Sequence, residues 1–299
     1  MAASPNPRTV RTLRLGHGRV LPIGARTLVM GVVNATPDSF FDGGRFATVP
    51  AAVDHALRLV SEGADLVDVG GESTRPGARE VSAAEELCRV VPVLESLRGR
   101  VKVPISIDTR KPQVAEAAIR AGADLVNDVE GLGSPAMREV VRREGVAAVI
   151  MHMRGAPKDM QQDTRYDDVV GEVRDFLRQQ ALAAEHMGIP HDQLVIDPGI
   201  GFGKSVEGNL ELLRSLPELR SLGYPLMVGA SRKSFLGALL GGVPTEQRLG
   251  ASVAAALAAS LGGADIVRVH DVAPTVEALK VADAVRSGAS RGRPVPSDP

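Results

Sequence analysis

The sequence predicts an α/β fold, a single (β/α)8 (TIM) barrel, and three observations support this prediction. Short apolar runs rich in β-branched residues occur eight times: TLVMGVVN, LVDVGG, PISIDT, LVNDV, AAVIMH, LVIDPG, PLMVGAS and IVRVHD. Stretches with apolar residues at helical spacing, such as AAVDHALRLVSEG, SAAEELCRVVPVLESL and KPQVAEAAIRAG, lie between them. The runs are continuously apolar, as parallel strands buried on both faces are, and about 250 residues is the usual length of such a barrel. A doubly wound open sheet is the alternative.

The domain organisation follows from this count of units. One barrel domain is expected over residues 13–286, in which residues 13–27 (LRLGHGRVLPIGART) form a hairpin or cap before the first strand. Residues 1–12 and 287–299 are expected to be flexible ends.

Composition favours small-molecule partners. The formal net charge is -1, from 35 basic and 36 acidic residues, so neither a nucleic acid nor a membrane surface is an expected partner. Cys88 is the only cysteine, which excludes a disulfide within the chain and fits a cytoplasmic location. Because it lies in the helical pattern AAEELCRVV, a buried, inert thiol is expected. The sequence contains neither a predicted transmembrane helix nor a recognisable secretory signal.

Polar residues gather where the predicted strands end. In a barrel this rim carries the chemistry, although any one such residue could instead start a turn or cap a helix. Taken together, the set supplies donors, acceptors and cations in quantity and favours a binding site. Its members are Asn34, Asp68, Asp108, Asn127, Asp128, His152, Asp197, Ser231, Arg268, His270 and Asp271.

One group of these residues is cationic. Barrel closure brings the eighth strand beside the first, so Asn34 should lie near Arg268 and His270, which are two residues apart and face the same side. Ser231, Arg232 and Lys233 follow the seventh strand. Because barrels often bind phosphate after strands seven and eight, a phosphorylated ligand is predicted. The alternative for Arg268 is a surface ion pair.

A second group is anionic and amide-bearing. Asp108 and Asn127 end adjacent strands, and Asp197 should face Lys233. Carboxylates accept hydrogen bonds from ring N–H and amino groups, and an amide and an ammonium satisfy ring nitrogens and a carbonyl. These residues therefore suit a flat, nitrogen-rich heterocycle, with a structural Asp197–Lys233 ion pair as the alternative.

The motif DPGIGFGKS ends like a phosphate-binding P-loop but does not qualify as one. GxxxxGK[ST] requires glycine at position 198, which is Pro198. The glycines at 199, 201 and 203 are expected to let the backbone approach a ligand closely and to present Phe202 to the barrel mouth.

Seven motifs together resemble the dihydropteroate synthase family. They are GVVNATPDSFFDGG, GGESTRPGA, SIDTRKP, NDVEGL, IDPGIGFGK, GASRKSFLG and RVHDV, in the family's order, over roughly residues 28–285. The resemblance implies a (β/α)8 barrel that joins p-aminobenzoate to 6-hydroxymethyl-7,8-dihydropterin pyrophosphate and releases pyrophosphate with the help of Mg2+. It also implies a homodimer formed through barrel helices, for which the Ala-rich segment LGASVAAALAASLGG is suited.

The same resemblance implies site residues. Asn34 would be the ligand to Mg2+, and the pyrophosphate would contact Asn34, Arg75, Arg268 and His270. The pterin would contact Asp108, Asn127, Asp197, Lys233 and Met153. The p-aminobenzoate pocket would comprise Phe40, Thr74, Pro76, Phe202 and Ser234. The catalytic residues would be Asp108, Asp197, Lys233, Arg75 and Asp42, with Asp108 and Asp197 stabilising a pterin cation as pyrophosphate leaves.

Two positions depart from the family pattern, and three other functions fit parts of the sequence. Ala35 replaces a usual valine, and Phe41 replaces a small residue in the first motif. The other functions are the pterin-binding domain of a methyltransferase that uses methyltetrahydrofolate, an aldolase with a Schiff base at Lys233, and a non-catalytic pterin-binding paralogue.

Overall fold

The chain, for which we use a computed structural model, is described over residues 10–36, 49–74, 78–157 and 159–287. The strands are β1 (Arg11–Arg14), β2 (Val20–Ile23), β3 (Leu28–Asn34), β4 (Leu66–Gly70), β5 (Ile105–Asp108), β6 (Leu125–Asp128), β7 (Ala147–Met151), β8 (Leu194–Asp197), β9 (Met227–Val228) and β10 (Ile266–Val269). The α-helices are α1 (Val49–Ser61), α2 (Ala83–Leu97), α3 (Pro112–Ala121), α4 (Pro135–Glu144), α5 (Val169–His186), α6 (Val206–Arg214), α7 (Leu216–Arg220), α8 (Ser234–Leu239), α9 (Leu249–Leu261) and α10 (Val272–Ser287). Within these ranges, no helix is long and apolar enough to span a membrane.

The eight predicted strands form one parallel barrel. Their spatial order is β8-β7-β6-β5-β4-β3-β10-β9, so the last strand in the chain lies beside the first barrel strand, with Arg268 opposite Met30. A parallel bridge between Ile196 and Leu226 joins β8 to β9 and closes the ring. This confirms the barrel over the open sheet.

The seventh barrel strand, β9, is only two residues long. The run PLMVGAS begins with Pro225, which has no N–H to donate to a neighbouring strand, and Gly229 follows the strand directly. The carbonyl of Pro225 still accepts the N–H of Ile196 at 2.9 Å. The barrel therefore closes through few bonds at this seam.

The hairpin predicted within residues 13–27 is present but starts earlier, at Arg11, and it closes the N-terminal end of the barrel. β1 and β2 pair antiparallel, with Leu13 opposite Leu21. The buried side chains of Leu13, Leu15 and Ile23 pack in one apolar cluster with residues of the barrel strands, among them Met30 and Leu66. The opposite, carboxyl end of the strands is left for the cavity. β1 starts at Arg11, inside the segment predicted as a flexible extension, and α10 ends at Ser287.

A Gly-Ala-Asp tripeptide precedes three of the barrel strands, ending at Asp65, Asp124 and Asp265. Each aspartate accepts the backbone N–H of a neighbouring strand, at 3.0, 2.9 and 3.0 Å respectively. Each also pairs with arginine: Arg26 with Asp65, Arg19 with Asp124, and Arg11 and Arg220 with Asp265. The glycines have φ between 101° and 119°, which explains why glycine stands there. The repeat thus joins adjacent strands at the N-terminal end.

The prediction of a buried thiol is wrong, because Cys88 is exposed on α2. The inward face of this helix is formed by Glu86, Val90, Val93, Leu94 and Leu97. Position 88 is two residues from Glu86 and therefore lies on the other side of the helix.

Candidate active site

A cavity of about 660 Å³ opens at the carboxyl ends of the barrel strands. It brings together most of the predicted site residues that the structure describes. Lining residues among them are Asn34, Thr74, Asp108, Asn127, Asp197, Phe202, Lys233, Ser234, Arg268 and His270. Phe40, Asp42, Arg75 and Pro76, and also the departure at Phe41, lie outside the described residues.

Met153 is placed differently from the prediction. It packs against a small apolar cluster of Val129, Met151, Met160 and Phe202, and it is not among the residues that line the cavity. Met151 and Met160 line the cavity in its place. Met151 is the last residue of β7 and is 4% exposed, so its side chain is a buried part of the cavity lining.

Arg268 lies at the centre of the cavity floor. It projects from the middle of the apolar strand β10, and its guanidinium pairs with two carboxylates. Nε is 2.6 Å from Asp68 Oδ2, and Nη2 is 2.7 Å from Asp108 Oδ2. The cationic and anionic groups predicted separately therefore share one cavity, linked by this arginine, and Arg268 is no surface ion-pair partner.

Asp68 accepts hydrogen bonds from two residues that line the cavity, Arg268 and Asn127. It is fully buried on β4, and the oxygen that accepts from Arg268 also accepts from Asn127 Nδ2 at 3.0 Å. This contact fixes the amide of Asn127. The Oδ1 of Asn127 is buried and has no hydrogen-bond partner among the described residues, so an acceptor is available for a ligand N–H. Sequence reasoning placed Asp68 at a strand end but gave it no role. The sequence feature that could have identified this role is a charged residue inside an otherwise apolar run, LVDVGG.

The two carboxylates predicted to hold the heterocycle both ionise near neutral pH. Burial raises the pKa of Asp108 to about 7, against the opposing effect of Arg268, and the charges of Asp68 and Glu86 raise it further. Burial raises the pKa of Asp197 to about 6, while the Gly199 N–H and the charges of Lys233, Arg268 and Lys204 lower it. The Gly199 N–H lies 2.7 Å from Asp197 Oδ1. A cation bound beside these two carboxyls would therefore favour their ionised forms.

Lys233 and Phe202 both line the cavity and contact each other. The ammonium of Lys233 lies 3.7 Å from the centroid of the Phe202 ring, a cation–π contact. Lys233 directly precedes α8, and Ser234 is the first residue of that helix. Phe202 is 7% exposed, so its ring is a fixed part of the wall.

His270 is oriented by Ser231. The Ser231 hydroxyl oxygen accepts the backbone N–H of His270 at 3.2 Å and lies 3.1 Å from its Nδ1. A hydroxyl that accepts from the backbone can donate to Nδ1, and in that tautomer the imidazole proton is on Nε2. Arg232 pairs with Asp271 in a bidentate contact at 2.9 and 2.6 Å, so the loops after β9 and β10 are joined.

The donor set fits a metal ion that arrives with a ligand, not one held by a protein cage. Among the described residues, no group of three or more His, Cys, Asp or Glu side chains could hold a metal ion. Asn34 is half-buried at the end of β3 and lines the cavity. A single amide oxygen suits Mg2+, which usually keeps several waters and binds substrate phosphates.

Comparison with known proteins agrees with this geometry. The model of the family "Pterin binding enzyme" matches residues 30–270. A dihydropteroate synthase of Synechocystis sp. is 48% identical over 263 residues, which cover 88% of this chain and 91% of that protein.

Solved structures give the same result. A dihydropteroate synthase of Xanthomonas albilineans, solved with 4-aminobenzoic acid, is 51% identical with a TM-score of 0.87, covering 93% of this chain and 99% of that one. A dihydropteroate synthase of Burkholderia cenocepacia, complexed with 7,8-dihydropteroate, is 47% identical with a TM-score of 0.84, covering 94% and 98%. With the carboxylates, amide and cations of the cavity in place, this chain belongs to the pterin binding enzymes and, within them, to the dihydropteroate synthases.

Proposed function

We propose that this enzyme joins p-aminobenzoate to 6-hydroxymethyl-7,8-dihydropterin pyrophosphate, giving 7,8-dihydropteroate and pyrophosphate in folate biosynthesis. The observation that carries the proposal is one cavity in which buried carboxylates and an amide adjoin two cations and an imidazole. The ligands of the two solved relatives, 4-aminobenzoic acid and 7,8-dihydropteroate, support the same acceptor and product for this chain.

The pterin ring is held by hydrogen bonds of matched polarity. Asp108 and Asp197 accept from its N–H and amino groups, Asn127 presents Oδ1, and Lys233 donates to an acceptor of the ring. The fixed amide of Asn127 supports this assignment, because its donor side is already bound by Asp68. Met151 lines the cavity and contributes an apolar contact.

The pyrophosphate group binds on the side of β3 and β10. Arg268, His270 and Asn34 line that side, and the Nε2–H tautomer of His270 supplies a donor. Arg75, which the family resemblance assigns to the same group, lies outside the described residues. Asn34 would hold the Mg2+ that accompanies pyrophosphate. When bound, Mg2+ neutralises part of the charge on the leaving group.

The bond between the pterin methylene carbon and the pyrophosphate oxygen breaks, and its electron pair leaves with pyrophosphate. The positive charge that develops on the pterin lies against the carboxylates of Asp108 and Asp197, which stabilise it electrostatically. The amine nitrogen of p-aminobenzoate then forms a bond to the methylene carbon and loses a proton to solvent. Arylamines are weakly basic, so the nitrogen lone pair is available without a strong general base.

The p-aminobenzoate ring binds near Phe202, Ser234 and Thr74, which line one side of the cavity. Phe202 offers an aromatic surface, and the Lys233 ammonium above it favours a carboxylate nearby. Phe40 and Pro76, the remaining residues assigned to this pocket, lie outside the described residues.

The proposal is tested by product formation from the two substrates, with and without Mg2+. Magnesium-dependent 7,8-dihydropteroate, identified by mass, is expected. Tight binding of the pterin pyrophosphate without turnover would instead identify a non-catalytic paralogue. Transfer of a methyl group from methyltetrahydrofolate would identify a methyltransferase domain, and trapping of Lys233 by borohydride with a carbonyl substrate would identify an aldolase.

We also propose that the enzyme is a homodimer formed through its last helices. Large apolar side chains on or beside α8, α9 and α10 are exposed, namely Leu239, Leu240, Leu249, Leu261, Val281 and Val285. Covering such surface is favourable in water. Light scattering at micromolar concentration should give twice the chain mass of 31.4 kDa, and a monomer would contradict the proposal. The cytoplasmic location stays a prediction.

A further inference from the structure

The lysine that ends the motif DPGIGFGKS is buried, although the motif is no P-loop. Lys204 is 3% exposed. Its ammonium lies 2.9 Å from the carbonyl oxygens of Gly199 and Phe202, and 3.0 Å from His152 Nδ1, with the His152 carbonyl at 3.3 Å. No Asp or Glu of the described ranges forms an ion pair with it. A buried ammonium bound mainly by backbone carbonyls is costly, and its retention needs a reason.

The acceptors of Lys204 belong to two loops. Gly199 and Phe202 lie in the loop after β8, and His152 directly follows β7. These loops approach closely. A Cβ at Gly203 would lie 2.6 Å from the Arg154 carbonyl oxygen, and a Cβ at Gly199 would clash with the carbonyl of His152. The lysine therefore binds at the point where the two loops meet.

The loop after β8 carries parts of both substrate sites. Phe202 stands on the proposed aminobenzoate side, and the N–H of Gly199 binds Asp197 on the pterin side. A Cβ at Gly201 would lie 2.9 Å from the Lys233 side chain, so loop and lysine are in close contact. A small movement of this loop would displace the Phe202 ring relative to the other residues that line the cavity.

We infer that Lys204 is a positioning residue, which fixes the loop after β8 so that Phe202 forms the aminobenzoate wall. This inference rests on the proposed function. The three N–H donors of one ammonium bind acceptors from the loop after β8 and from the loop after β7, an arrangement that neither a methionine nor a glutamine can reproduce. The role differs from that of Lys233, which faces the substrates themselves.

The charges around Lys204 support this role. Burial lowers the pKa of Lys204 to about 7, Asp197 raises it, and Lys233 and Arg154 lower it. His152, whose pKa is lowered to about 3 by burial and by Lys204, is neutral and accepts through Nδ1. Loss of a proton from Lys204 leaves two donors for four acceptors and therefore weakens the loop contact.

The test compares Lys204→Met and Lys204→Gln with the unaltered chain at pH 6.5, where most of Lys204 is protonated. We expect Lys204→Met to raise the KM for p-aminobenzoate about tenfold or more, with a Kd for pterin pyrophosphate, measured calorimetrically without the amine, changed by less than about threefold. Lys204→Gln, which keeps two donors, should give an intermediate KM. Equal changes in both constants, or none, would overturn the inference.

A matched control separates positioning from general loss of stability. Asp124→Ala removes the acceptor of the Ile105 N–H at the opposite end of the barrel and should leave both constants unchanged at a similar loss of Tm. If both Lys204 variants fail to fold, the unaltered chain still decides. Its KM for p-aminobenzoate should rise as pH increases through about 7 to 9, and a constant KM would overturn the inference. Absence of product from the unaltered chain would instead refute the proposed function.

Discussion

At the scale of single residues, the cavity places carboxylates where they cost stability. The pKa of Asp197 is raised to about 6 by burial, so the folded chain binds a proton at this site more readily than the unfolded chain does. Its contribution to stability is therefore lost as pH rises from about 4 through about 6. A charge kept buried at this cost indicates a role in catalysis rather than in folding.

Asp197→Asn should consequently stabilise the protein. The amide keeps an oxygen for the Gly199 N–H and removes the buried charge. At pH 7.5 we expect the free energy of unfolding to increase on the order of 1 to 3 kcal/mol, measured by urea denaturation. An unchanged or lower value would show that the charge is already compensated within the empty site.

Activity should fall on the acid side for the same physical reason. Burial raises the pKa of Asp108 to about 7 and that of Asp197 to about 6. Below these values the carboxyls are protonated and accept fewer hydrogen bonds from the pterin. We expect kcat/KM for pterin pyrophosphate to decrease as pH falls from about 8 to about 5. A profile that is flat over this range would contradict the assignment of these two residues.

Substitution of Asp68 should lower activity, although Asp68 is not expected to contact either substrate. Asp68→Asn removes the negative charge that anchors Arg268 Nε and leaves only a neutral amide oxygen for both Arg268 and Asn127. We expect kcat/KM to fall roughly 10- to 100-fold. Asp128→Asn is the matched control, because Asp128 is an equally buried carboxylate that binds only the N–H groups of Glu130 and Leu132 in its hydrogen bonds. Equal losses in the two variants would refute a specific role for Asp68.

Residue positions were predictable from the sequence only as far as strand ends could be recognised. The polar residue after each apolar run identified the rim of the cavity, including Asp108, Asn127 and Arg268. The pairing of Arg268 with Asp68 and Asp108 could not be predicted, because it depends on the stagger of strands and on side-chain length. Met153 shows the same limit, since Met151, two residues earlier in the chain, lines the cavity and Met153 does not.

At the scale of elements, the two ends of the barrel have different roles. The carboxyl ends of the strands carry the cavity, and the N-terminal ends are joined by the three Gly-Ala-Asp repeats and closed by the hairpin of β1 and β2. This division agrees with the general design of such barrels. Stability and catalysis can therefore be altered separately.

Asp124→Ala tests this separation. It removes the oxygen that pairs with Arg19 and that accepts the buried N–H of Ile105, so this N–H loses its partner. We expect the free energy of unfolding to fall by about 1 to 2 kcal/mol, measured by urea denaturation, with kcat/KM unchanged. A loss of activity larger than the loss of folded protein would contradict the division.

Element types were predictable because the strands are buried on both faces and the helices on one. Element lengths were less so. β9 is cut to two residues by Pro225 and Gly229, although the run PLMVGAS is as apolar as its neighbours. Cys88 shows why the helix pattern AAEELCRVV misled, since alanine and leucine occupy both faces of α2 and the buried face includes Glu86.

At the scale of the whole molecule, function depends on closure of the ring. Only because β10 lies against β3 does Arg268 reach Asp68 on β4 and Asp108 on β5, while His270 lies on the side of Asn34. Arg268 thus contacts Asp68 and Asp108, which lie 200 and 160 positions away in the chain. Topology predicted that Asn34 lies near Arg268 and His270, once eight strands had been counted, but it did not predict the pairing of Arg268 with Asp68 and Asp108.

The most direct test of this site is kcat/KM for pterin pyrophosphate in the unaltered chain and in Asp197→Asn, at pH 8 with Mg2+ and saturating p-aminobenzoate. We expect 7,8-dihydropteroate from the unaltered chain and a loss of about 100-fold or more in the variant, which remains folded by the urea measurement above. Equal activity in both proteins would contradict a buried carboxylate that stabilises the pterin cation.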